Sequence, residues 1–383
     1  MKIGIDIRAI GKKRTGDEAV FFNLVKNLAK IDAENEYVLF TDLCNGNEIA
    51  QIRKRLGIVD RKNFMVISLG GVNKFLWNFW TLPNYLRKHP VDIYETQYIT
   101  PLFVSKKIKI VTIIHDISFN FFPQFIRPSD LFFLKVLIPI SLRRADGIVA
   151  VSNFTKREIV QYYKIPKEKI FVVPNALGDE LSDSHRIPTA LRDTRDKYEL
   201  PQAYILYMGT LQPRKNLVHL IESFIRIKDR IPGMKLVIAG SKSAHNVDSR
   251  IAQVIKENNI SKDVVFTGYV QEEDKANIFK MAQVFTFPSL YEGFGIPILE
   301  AMSQGIPVLA NDIASLREVG GDACRYCNAN NLDEFSLALY NCCTDKDAKK
   351  KMIDSGKNRV TLFSWERSAK KTLAMFKKII LIS

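Results

Sequence analysis

Short apolar strands alternate with helices along most of the chain, and this alternation limits the possible folds more than any other feature of the sequence. In the first half, the predicted strands cover residues 3–7, 37–41, 64–67, 91–94, 109–114, 147–151 and 170–173. The predicted helices cover residues 17–30, 48–56, 74–88, 129–144 and 153–163. Such βαβ alternation implies a parallel sheet with helices on both faces. The predicted fold class is therefore α/β.

The alternation stops at residues 176–200, a polar and charged stretch, and then restarts. The second set of predicted strands covers 204–208, 235–239, 264–267 and 284–287, and the helices cover 217–230, 249–258 and 273–281. With 383 residues the chain exceeds one typical core, so two domains are expected. We predict a first domain at 1–175, an interdomain linker at 176–200 and a second domain at 201–363.

The segment 291–300, with the sequence YEGFGIPILE, is the strongest functional motif of the chain. It follows the apolar strand 284–287, and Pro297 suits the first turn of a helix. Glu292 is then expected in the loop and Glu300 on the first helical turn, so both carboxylates can face one crevice. Open α/β sheets bind ligands at this carboxyl end of the strands. Since carboxylates accept hydrogen bonds from vicinal hydroxyls, the pattern suits a sugar.

Two features of the second half favour an anion, such as a phosphate. The amides of Phe294 and Gly295 can approach an anion closely, because they lie at a glycine-rich helix N-terminus. The segment 209–216, GTLQPRKN, follows another strand and places Arg214 and Lys215 just before a helix. Two cations beside a helix N-terminus can bind a diphosphate. The alternative is a basic pair on the surface beside a helix cap.

The first half offers two further candidates. Gly16, in the segment 14–18, separates the first strand from the first helix and can bring a backbone amide against a phosphate. His115 ends the strand 109–114, where it can donate a hydrogen bond to a sugar hydroxyl or a phosphate. The alternative for His115 is a core histidine that is hydrogen-bonded to the backbone.

These motifs together resemble those of the retaining glycosyltransferases of family 4 (group 1), which have the GT-B fold of two Rossmann-like domains that face a cleft. The resemblance covers nearly the whole chain and implies that a nucleotide-diphosphate sugar binds mainly to the second half. For donor binding it implies Gly16, Gly209, Val270, Glu292, Gly293, Phe294, Gly295, Leu299 and Glu300, and for catalysis Glu292, His115, Arg214 and Lys215. The family usually carries two or three glycines near Gly16, whereas this chain has one, followed by Asp17 and Glu18.

The resemblance also implies specific roles. Glu292 would hold hydroxyls of the donor sugar, Glu300 the ribose hydroxyls, and the backbone around Val270 would meet the base. No metal or other cofactor is expected, because Arg214 and Lys215 would take the place of a cation. A glycan or lipid-linked acceptor would bind to the first half. The segment 364–383 would form a helix that crosses back to the first domain.

Several alternatives remain open at this stage. The segments 6–8, DIR, and 14–18, RTGDE, resemble those of mannosyltransferases of polysaccharide and lipopolysaccharide assembly, which favours GDP-mannose as the donor. The chain could instead be a nucleotide-sugar epimerase of the same fold, or a non-catalytic scaffold subunit. The five cysteines argue against a disulfide framework, and a zinc site at Cys324 and Cys327 is a weak alternative to buried free thiols.

The net charge of +15 is uneven along the chain. Residues 1–174 carry +11 and residues 175–383 carry +4. A basic first half suggests an anionic partner such as a membrane surface, and we rank nucleic acid below it because no nucleic-acid motif is present. The N-terminus lacks a secretory leader, so we expect a cytoplasmic protein, peripheral on the membrane. The segment 129–144 is apolar with flanking basic residues, and we expect most of its apolar side chains to be buried in the core.

Overall fold

The chain forms two α/β units, each built around one parallel sheet. A computed structural model describes residues 1–11, 16–70, 73, 76–178, 188–241 and 246–381. Unit 1 comprises Met1–Asn120, Pro128–Ala176 and Ser364–Ser383, and unit 2 comprises Phe121–Arg127 and Leu177–Phe363. The predicted α/β class is confirmed.

Unit 1 contains a seven-stranded sheet whose strands all pair in parallel. Its strands are β1 (Lys2–Asp6), β2 (Glu36–Thr41), β3 (Phe64–Ser68), β4 (Ile93–Gln97), β5 (Lys109–Ile114), β6 (Gly147–Ala150) and β7 (Ile170–Val172). The order across the sheet is β3-β2-β1-β4-β5-β6-β7. The order of the strands reverses between β1 and β4, because β2 and β3 lie on one side of β1 and the later strands lie on the other. Parallel sheets leave a crevice at their carboxyl edge at such a position.

Helices cover the sheet of unit 1. They are α1 (Gly16–Ile31), α2 (Gly46–Leu56), α3 (Leu82–Lys88), α4 (Pro128–Arg144) and α5 (Asn153–Tyr163). A π-helical turn, Trp77–Thr81, leads directly into α3. Along α1 the apolar residues recur every three to four positions, and this stripe is buried, as its periodicity predicts.

Unit 2 has a six-stranded parallel sheet with the order β10-β9-β8-β11-β12-β13. The strands are β8 (Ala203–Met208), β9 (Met234–Ala239), β10 (Val264–Gly268), β11 (Val284–Phe287), β12 (Val308–Asn311) and β13 (Cys324–Cys327). The helices are α6 (Pro188–Lys197), α7 (Leu217–Ile227), α8 (Arg250–Glu257), α9 (Glu272–Met281), α10 (Ile296–Ser303), α11 (Ala314–Gly320), α12 (Leu332–Thr344) and α13 (Lys346–Val360). The last helix, α14 (Trp365–Leu381), belongs to unit 1 and packs against α1.

The stretch at 176–200, which we predicted to be a linker, contains helix α6. Its Thr194 is buried, and the Thr194 hydroxyl accepts a hydrogen bond of 2.8 Å from the Asn277 side chain on α9. Tyr198 donates a hydrogen bond of 2.8 Å to Asp274 on the same helix. The end of this stretch is therefore packed into unit 2, although its composition is polar.

Strand β4 differs from the prediction in its position. We expected residues 91–94, but the strand runs over Ile93–Gln97. The predicted strand stops before the charged residue Glu95. In the structure Glu95 is fully buried within β4, and its burial raises its pKa to about 8. A carboxyl group with this pKa is mainly neutral at pH 7, so it can occupy an interior strand.

The expectation that most apolar residues of α4 would be buried is wrong. Ile138, Ser141 and Leu142 are the buried residues of this helix, and all lie in its C-terminal half. Phe132 is 65% exposed, and Phe133, Val136 and Ile140 are also exposed. The apolar residues of α4 are distributed around the helix rather than along one stripe, so one packed face cannot cover all of them.

Close backbone packing at the end of β9 leads to a stability prediction for Gly240. A Cβ atom placed on Gly240 would lie 2.1 Å from the carbonyl oxygen of Gly209, and backbone cannot move away as a side chain can. We expect Gly240→Ala to destabilise the protein by about 3 kcal/mol, which for a unit of this size lowers Tm by about 6–12 °C.

The control for this prediction is Gly46→Ala, because a Cβ on Gly46, at the first position of α2, meets nothing within 4 Å. This variant should change the free energy of unfolding by less than about 0.5 kcal/mol. Thermal unfolding followed by circular dichroism compares the two variants. Equal midpoints for the two would show that the approach of Gly240 to Gly209 imposes no constraint.

Candidate active site

The candidate site lies at the carboxyl edge of the unit 2 sheet, between β8 and β11. The strand order reverses there, because β9 and β10 extend the sheet on one side of β8 and β12 and β13 extend it beyond β11. Two loops leave this edge from neighbouring strands, at residues 209–216 after β8 and 288–295 after β11. The crevice at such a reversal is where open α/β sheets bind ligands. The two strongest sequence motifs are therefore adjacent in space.

Glu292, Lys215 and Arg214 form one ionic cluster across these two loops. The Lys215 ammonium donates a short hydrogen bond to Oε1 of Glu292. Nη1 of Arg214 lies 3.5 Å from Oε2 of the same carboxylate. Glu292 and Lys215 are each only 9% exposed, so water screens their attraction little. The structure thus brings together three of the four residues to which the sequence assigned catalysis.

The cluster determines the charge of Glu292. Burial by itself would raise the pKa of this carboxyl group, but the positive charges of Lys215 and Arg214 outweigh that effect and hold the pKa of Glu292 below its usual value. Glu292 is therefore a carboxylate at neutral pH. An ionised carboxylate accepts hydrogen bonds and cannot donate them, which suits hydroxyl groups as partners.

Backbone contacts hold the two loops together beside this cluster. Nη1 of Arg214 donates a hydrogen bond of 2.9 Å to the carbonyl of Tyr291, and the amide of Leu290 donates one of 2.9 Å to the carbonyl of Arg214. Asn311, at the end of β12, donates a hydrogen bond of 2.9 Å to the carbonyl of Ser289. We did not predict the role of Asn311, although the apolar run before it is the signal of a strand.

Helix α10 begins at the end of the loop and needs glycine there. Gly295 has φ +108°, and a Cβ on it would lie 2.8 Å from Leu316. Pro297 occupies the first turn of the helix, as predicted. Gly293 and Phe294 are buried in the loop. Leu299 is fully buried, so in this conformation its side chain belongs to the core and offers no surface to a ligand.

Glu300 lies in the second turn of α10 rather than in the first, because the helix begins at Ile296. Its carboxylate is 3.6 Å from the ammonium of Lys275, and Lys275 also forms an ion pair of 2.7 Å with Glu272. Lys275 belongs to α9, which follows β10, so it reaches the same edge of the sheet. Sequence reasoning missed Lys275, because a lysine on an acidic helix gives no distinct signal.

The remaining unit 2 candidates also follow strands at this edge. The amide of Gly209 donates to the carbonyl of Ala239, and Gly240 packs against it. Gly268 ends β10 with φ +71°, which turns the chain so that Tyr269 is 45% exposed and Val270 is buried. Val270 therefore offers little side-chain surface, and its neighbours Tyr269 and Gln271 are exposed.

In unit 1, His115 lies at the end of β5 as predicted, and a second residue accompanies it. Nε2 of His115 is 3.6 Å from Oδ1 of Asp17, near the start of α1, and the His115 ring is 5.7 Å from the ring of Tyr98. Tyr98 has φ +55°, a conformation that is uncommon for a tyrosine. His115 therefore has a carboxylate neighbour rather than the simple backbone bond of the alternative interpretation.

Gly16 is the first residue of α1, and among the described residues no atom would lie within 4 Å of a Cβ placed on it. These described neighbours therefore do not require a glycine. Arg14 and Thr15 of the same segment lie outside the described residues. Asp17 occupies the position after Gly16, so the departure from the family pattern places an acidic group beside His115.

The zinc candidates of the sequence, Cys324 and Cys327, are buried free thiols of β13. Burial raises the pKa of each thiol to about 12. Among the residues that the structure describes, no group of three or more His, Cys, Asp or Glu side chains is placed to hold a metal ion.

None of the described helices combines the length and the apolar character that a membrane span requires.

Comparisons with known proteins identify the family. The family model described as glycosyl transferases group 1 matches residues 192–359, and the one described as glycosyltransferase family 4 matches residues 15–180. The O-antigen chain mannosyltransferase B of Escherichia coli is 30% identical over 272 residues, which are 70% of this chain and 70% of that protein. The chain belongs to the group 1, family 4 glycosyltransferases. It is thus an enzyme that transfers sugars.

Solved structures show that this glycosyltransferase has the GT-B fold. The sucrose-phosphate synthase of Thermosynechococcus elongatus superposes with a TM-score of 0.76 at 18% identity and covers 100% of both chains. HepE of Anabaena, in complex with UDP and glucose, superposes with a TM-score of 0.74 at 15% identity, covering 99% of this chain and 100% of its own. At these identities the likeness establishes the fold alone.

Proposed function

We propose that this glycosyltransferase moves a sugar from a nucleotide-diphosphate sugar to a glycan or lipid-linked acceptor, with retention of configuration at the anomeric carbon. The observation that carries the proposal is the ionic cluster of Glu292, Lys215 and Arg214 at the strand-order reversal of unit 2. It places an ionised acceptor of hydroxyl hydrogen bonds next to two cations. This combination suits the transfer of a sugar from a diphosphate, because the carboxylate can hold the sugar hydroxyls and the cations can stabilise the departing diphosphate.

The proposed roles follow from the charges. Glu292 accepts hydrogen bonds from hydroxyls of the donor sugar, and Glu300 accepts them from the ribose. Lys215 and Arg214 stabilise the negative charge that grows on the diphosphate as the bond to the sugar breaks. Both cations contact Glu292, so the protein's own side chains position them. The donor phosphates would share them with the carboxylate.

His115 is the proposed contribution of unit 1. Its ring can donate a hydrogen bond to a sugar hydroxyl or a phosphate, and Oδ1 of Asp17 lies 3.6 Å from its Nε2 atom. Gly16 is the proposed phosphate contact of this unit. Val270, Gly293, Phe294 and Gly295 are proposed to act through their backbones around the nucleotide.

GDP-mannose is the proposed donor, and a cell-surface polysaccharide or lipopolysaccharide is the proposed product. The Escherichia coli relative is an O-antigen chain mannosyltransferase, and HepE shows that a protein of this fold binds UDP and glucose. The identity of 30% to this relative supports mannose as the sugar. We propose that the reaction is independent of a metal ion, because two cationic side chains are available to the diphosphate.

A thermal-shift screen of nucleotide-sugars tests this function, since a ligand that binds only the folded state raises Tm. We expect GDP-mannose to give the largest shift, and transfer of mannose to an O-antigen-type polysaccharide in the matching assay. A free epimer formed without acceptor would identify an epimerase. Binding without any turnover, with every candidate acceptor tested, would favour a scaffold subunit.

We further propose that α4 binds the membrane from which a lipid-linked acceptor would be presented. Phe132, Val136 and Ile140 are exposed at a spacing of four residues, which places them on one side of the helix. Lys135 and Arg143 are exposed on the same helix, and Arg127 lies just before it. Exposed aromatic side chains beside basic ones are typical of helices that lie at an anionic lipid surface.

Vesicle flotation tests the membrane proposal. We expect the protein to float with vesicles of phosphatidylglycerol and to stay behind with vesicles of phosphatidylcholine. Binding should be lost in 1 M salt, where the Debye length falls to about 3 Å. Phe132→Ser should weaken binding, whereas the control Leu337→Ser, at a residue of α12 that is 55% exposed, should not. Equal binding to both lipids would contradict the proposal.

A further inference from the structure

A short segment of the chain between β5 and α4 packs against the candidate donor site. This segment, Phe121–Arg127, belongs to unit 2, although the residues on either side of it belong to unit 1. It contains one 3₁₀ turn, Pro123–Phe125. We call it the strap. In sequence it begins six residues after His115 and ends one residue before α4.

The contact between the strap and the donor loop is aromatic. The ring of Phe121 stacks on that of Tyr291, with centroids 5.5 Å apart and an interplanar angle of 26°. Phe122 meets the same ring edge-on, at 6.2 Å and 69°, and itself stacks on Phe125 at 5.8 Å. Tyr291 is only 7% exposed, whereas Phe121 is 45% exposed.

A polar contact attaches the strap to a second loop of the same edge. The side chain of Asn246, between β9 and α8, donates a hydrogen bond of 3.2 Å to the carbonyl of Phe125. Asn246 has φ +59°, which asparagine tolerates better than most residues. The strap therefore touches loops that follow β9 and β11, and these strands flank β8, after which Arg214 and Lys215 lie.

Tyr291 connects the strap to the ionic cluster. Its carbonyl accepts the hydrogen bond of Arg214, and it directly precedes Glu292 in the chain. A shift of the Tyr291 ring would therefore move the backbone that positions Arg214 and the Glu292 carboxylate together. Aromatic pairs of this kind contribute beyond their buried area, so they can fix one loop conformation.

We propose that the strap positions the donor site, and that Phe121 is the positioning residue through which it does so. The inference rests on the proposed donor site, and it adds that a segment from between β5 and α4 controls the conformation of the Glu292 loop. Phe121 itself acts on Tyr291 and not on the donor. Its loss should therefore affect the donor and leave the acceptor's KM unchanged.

The test compares Phe121→Ala with Phe121→Tyr, which keeps an aromatic ring, and with Phe103→Ala. Phe103 is 68% exposed in unit 1 and serves as the matched control. We expect Phe121→Ala to lower kcat/KM for the donor about fivefold, the size of one aromatic pair, with Phe121→Tyr near the wild type and Phe103→Ala unchanged. If Phe121→Ala instead changes the KM of the acceptor and leaves kcat/KM for the donor unchanged, the proposal is wrong.

Hydrogen–deuterium exchange gives a second readout that needs no donor and no turnover. The amides of residues 290–295 should exchange faster in Phe121→Ala, because the Leu290 amide is bonded to Arg214 in the loop that the strap supports. If the wild type transfers no sugar but this exchange increases, the donor assignment fails and the strap stands. Unchanged exchange and unchanged donor kinetics together would refute the strap.

Discussion

Glu292→Gln is expected to lower the rate of sugar transfer about 10³-fold, the size of the effect of one electrostatic group at a reacting centre. The amide keeps the volume of the carboxyl group but removes the charge that accepts hydroxyl hydrogen bonds and holds Lys215 and Arg214 in place. The loss should appear in kcat more than in the donor's KM, because the lost interaction is strongest in the transition state. Steady-state kinetics with a purified donor measure both constants.

The choice of glutamine over alanine follows from the burial of the pair. Although Glu292 lies in a loop, Glu292→Ala should cost stability. Removal of the carboxyl group leaves Lys215 buried without its main partner, at a cost of about 3–5 kcal/mol. Glu292→Ala should therefore unfold at a lower temperature than Glu292→Gln. A Glu292→Gln variant with full activity would eliminate the donor-site assignment.

Lys215→Ala should raise the barrier to transfer by about 3 kcal/mol, as does the loss of one oxyanion donor, and this slows the reaction about 10²-fold. The positive charge on the leaving diphosphate's side of the site would then come from Arg214 alone. Lys215→Arg keeps the charge but cannot reproduce a point contact inside the cluster, so we expect it to recover only part of the rate. Single-turnover kinetics separate the chemical step from product release.

Lys215→Ala also helps to test whether the reaction depends on a metal ion. If Lys215 and Arg214 serve in place of a cation, EDTA should leave the wild-type rate unchanged. Addition of Mg²⁺ or Mn²⁺ should also fail to rescue Lys215→Ala. A wild-type enzyme that loses its activity in EDTA and regains it with Mg²⁺ would contradict the metal-independent mechanism.

The sequence was sufficient for the fold class and for the loops that carry the site. The strand 109–114 and the helix 153–163 have the predicted bounds. The helix begins where Ser152 accepts a hydrogen bond from the amide of Thr155, and such a cap can be recognised in the sequence. Glu292 and Lys215 were both found from local patterns of strand, loop and helix. That they share one hydrogen bond across 77 positions is a property of the sheet order, which local patterns do not contain.

Other features depend on contacts between residues that are far apart in the chain, and short stretches of sequence do not predict them. The predicted strand 91–94 stops before Glu95. The sequence alone does not show that burial raises the pKa of this carboxyl group and keeps it mainly neutral. Helix α4 suggested a core helix, because an apolar sequence does not reveal which of its turns the neighbouring sheet covers. Phe121 gave no signal, since its partner Tyr291 lies far along the chain. Strand β12 could have been predicted from its apolar residues 308–310, whereas β13, with the sequence CRYC, has no apolar run.

The most direct test of the donor site is a crystal structure of the protein soaked with a nucleotide-diphosphate sugar. We predict density for the diphosphate beside Arg214, Lys215 and the N-terminus of α10, with sugar hydroxyls at hydrogen-bond distance from Glu292 and ribose hydroxyls at that distance from Glu300. Density for the nucleotide at any other edge of either sheet would contradict the account.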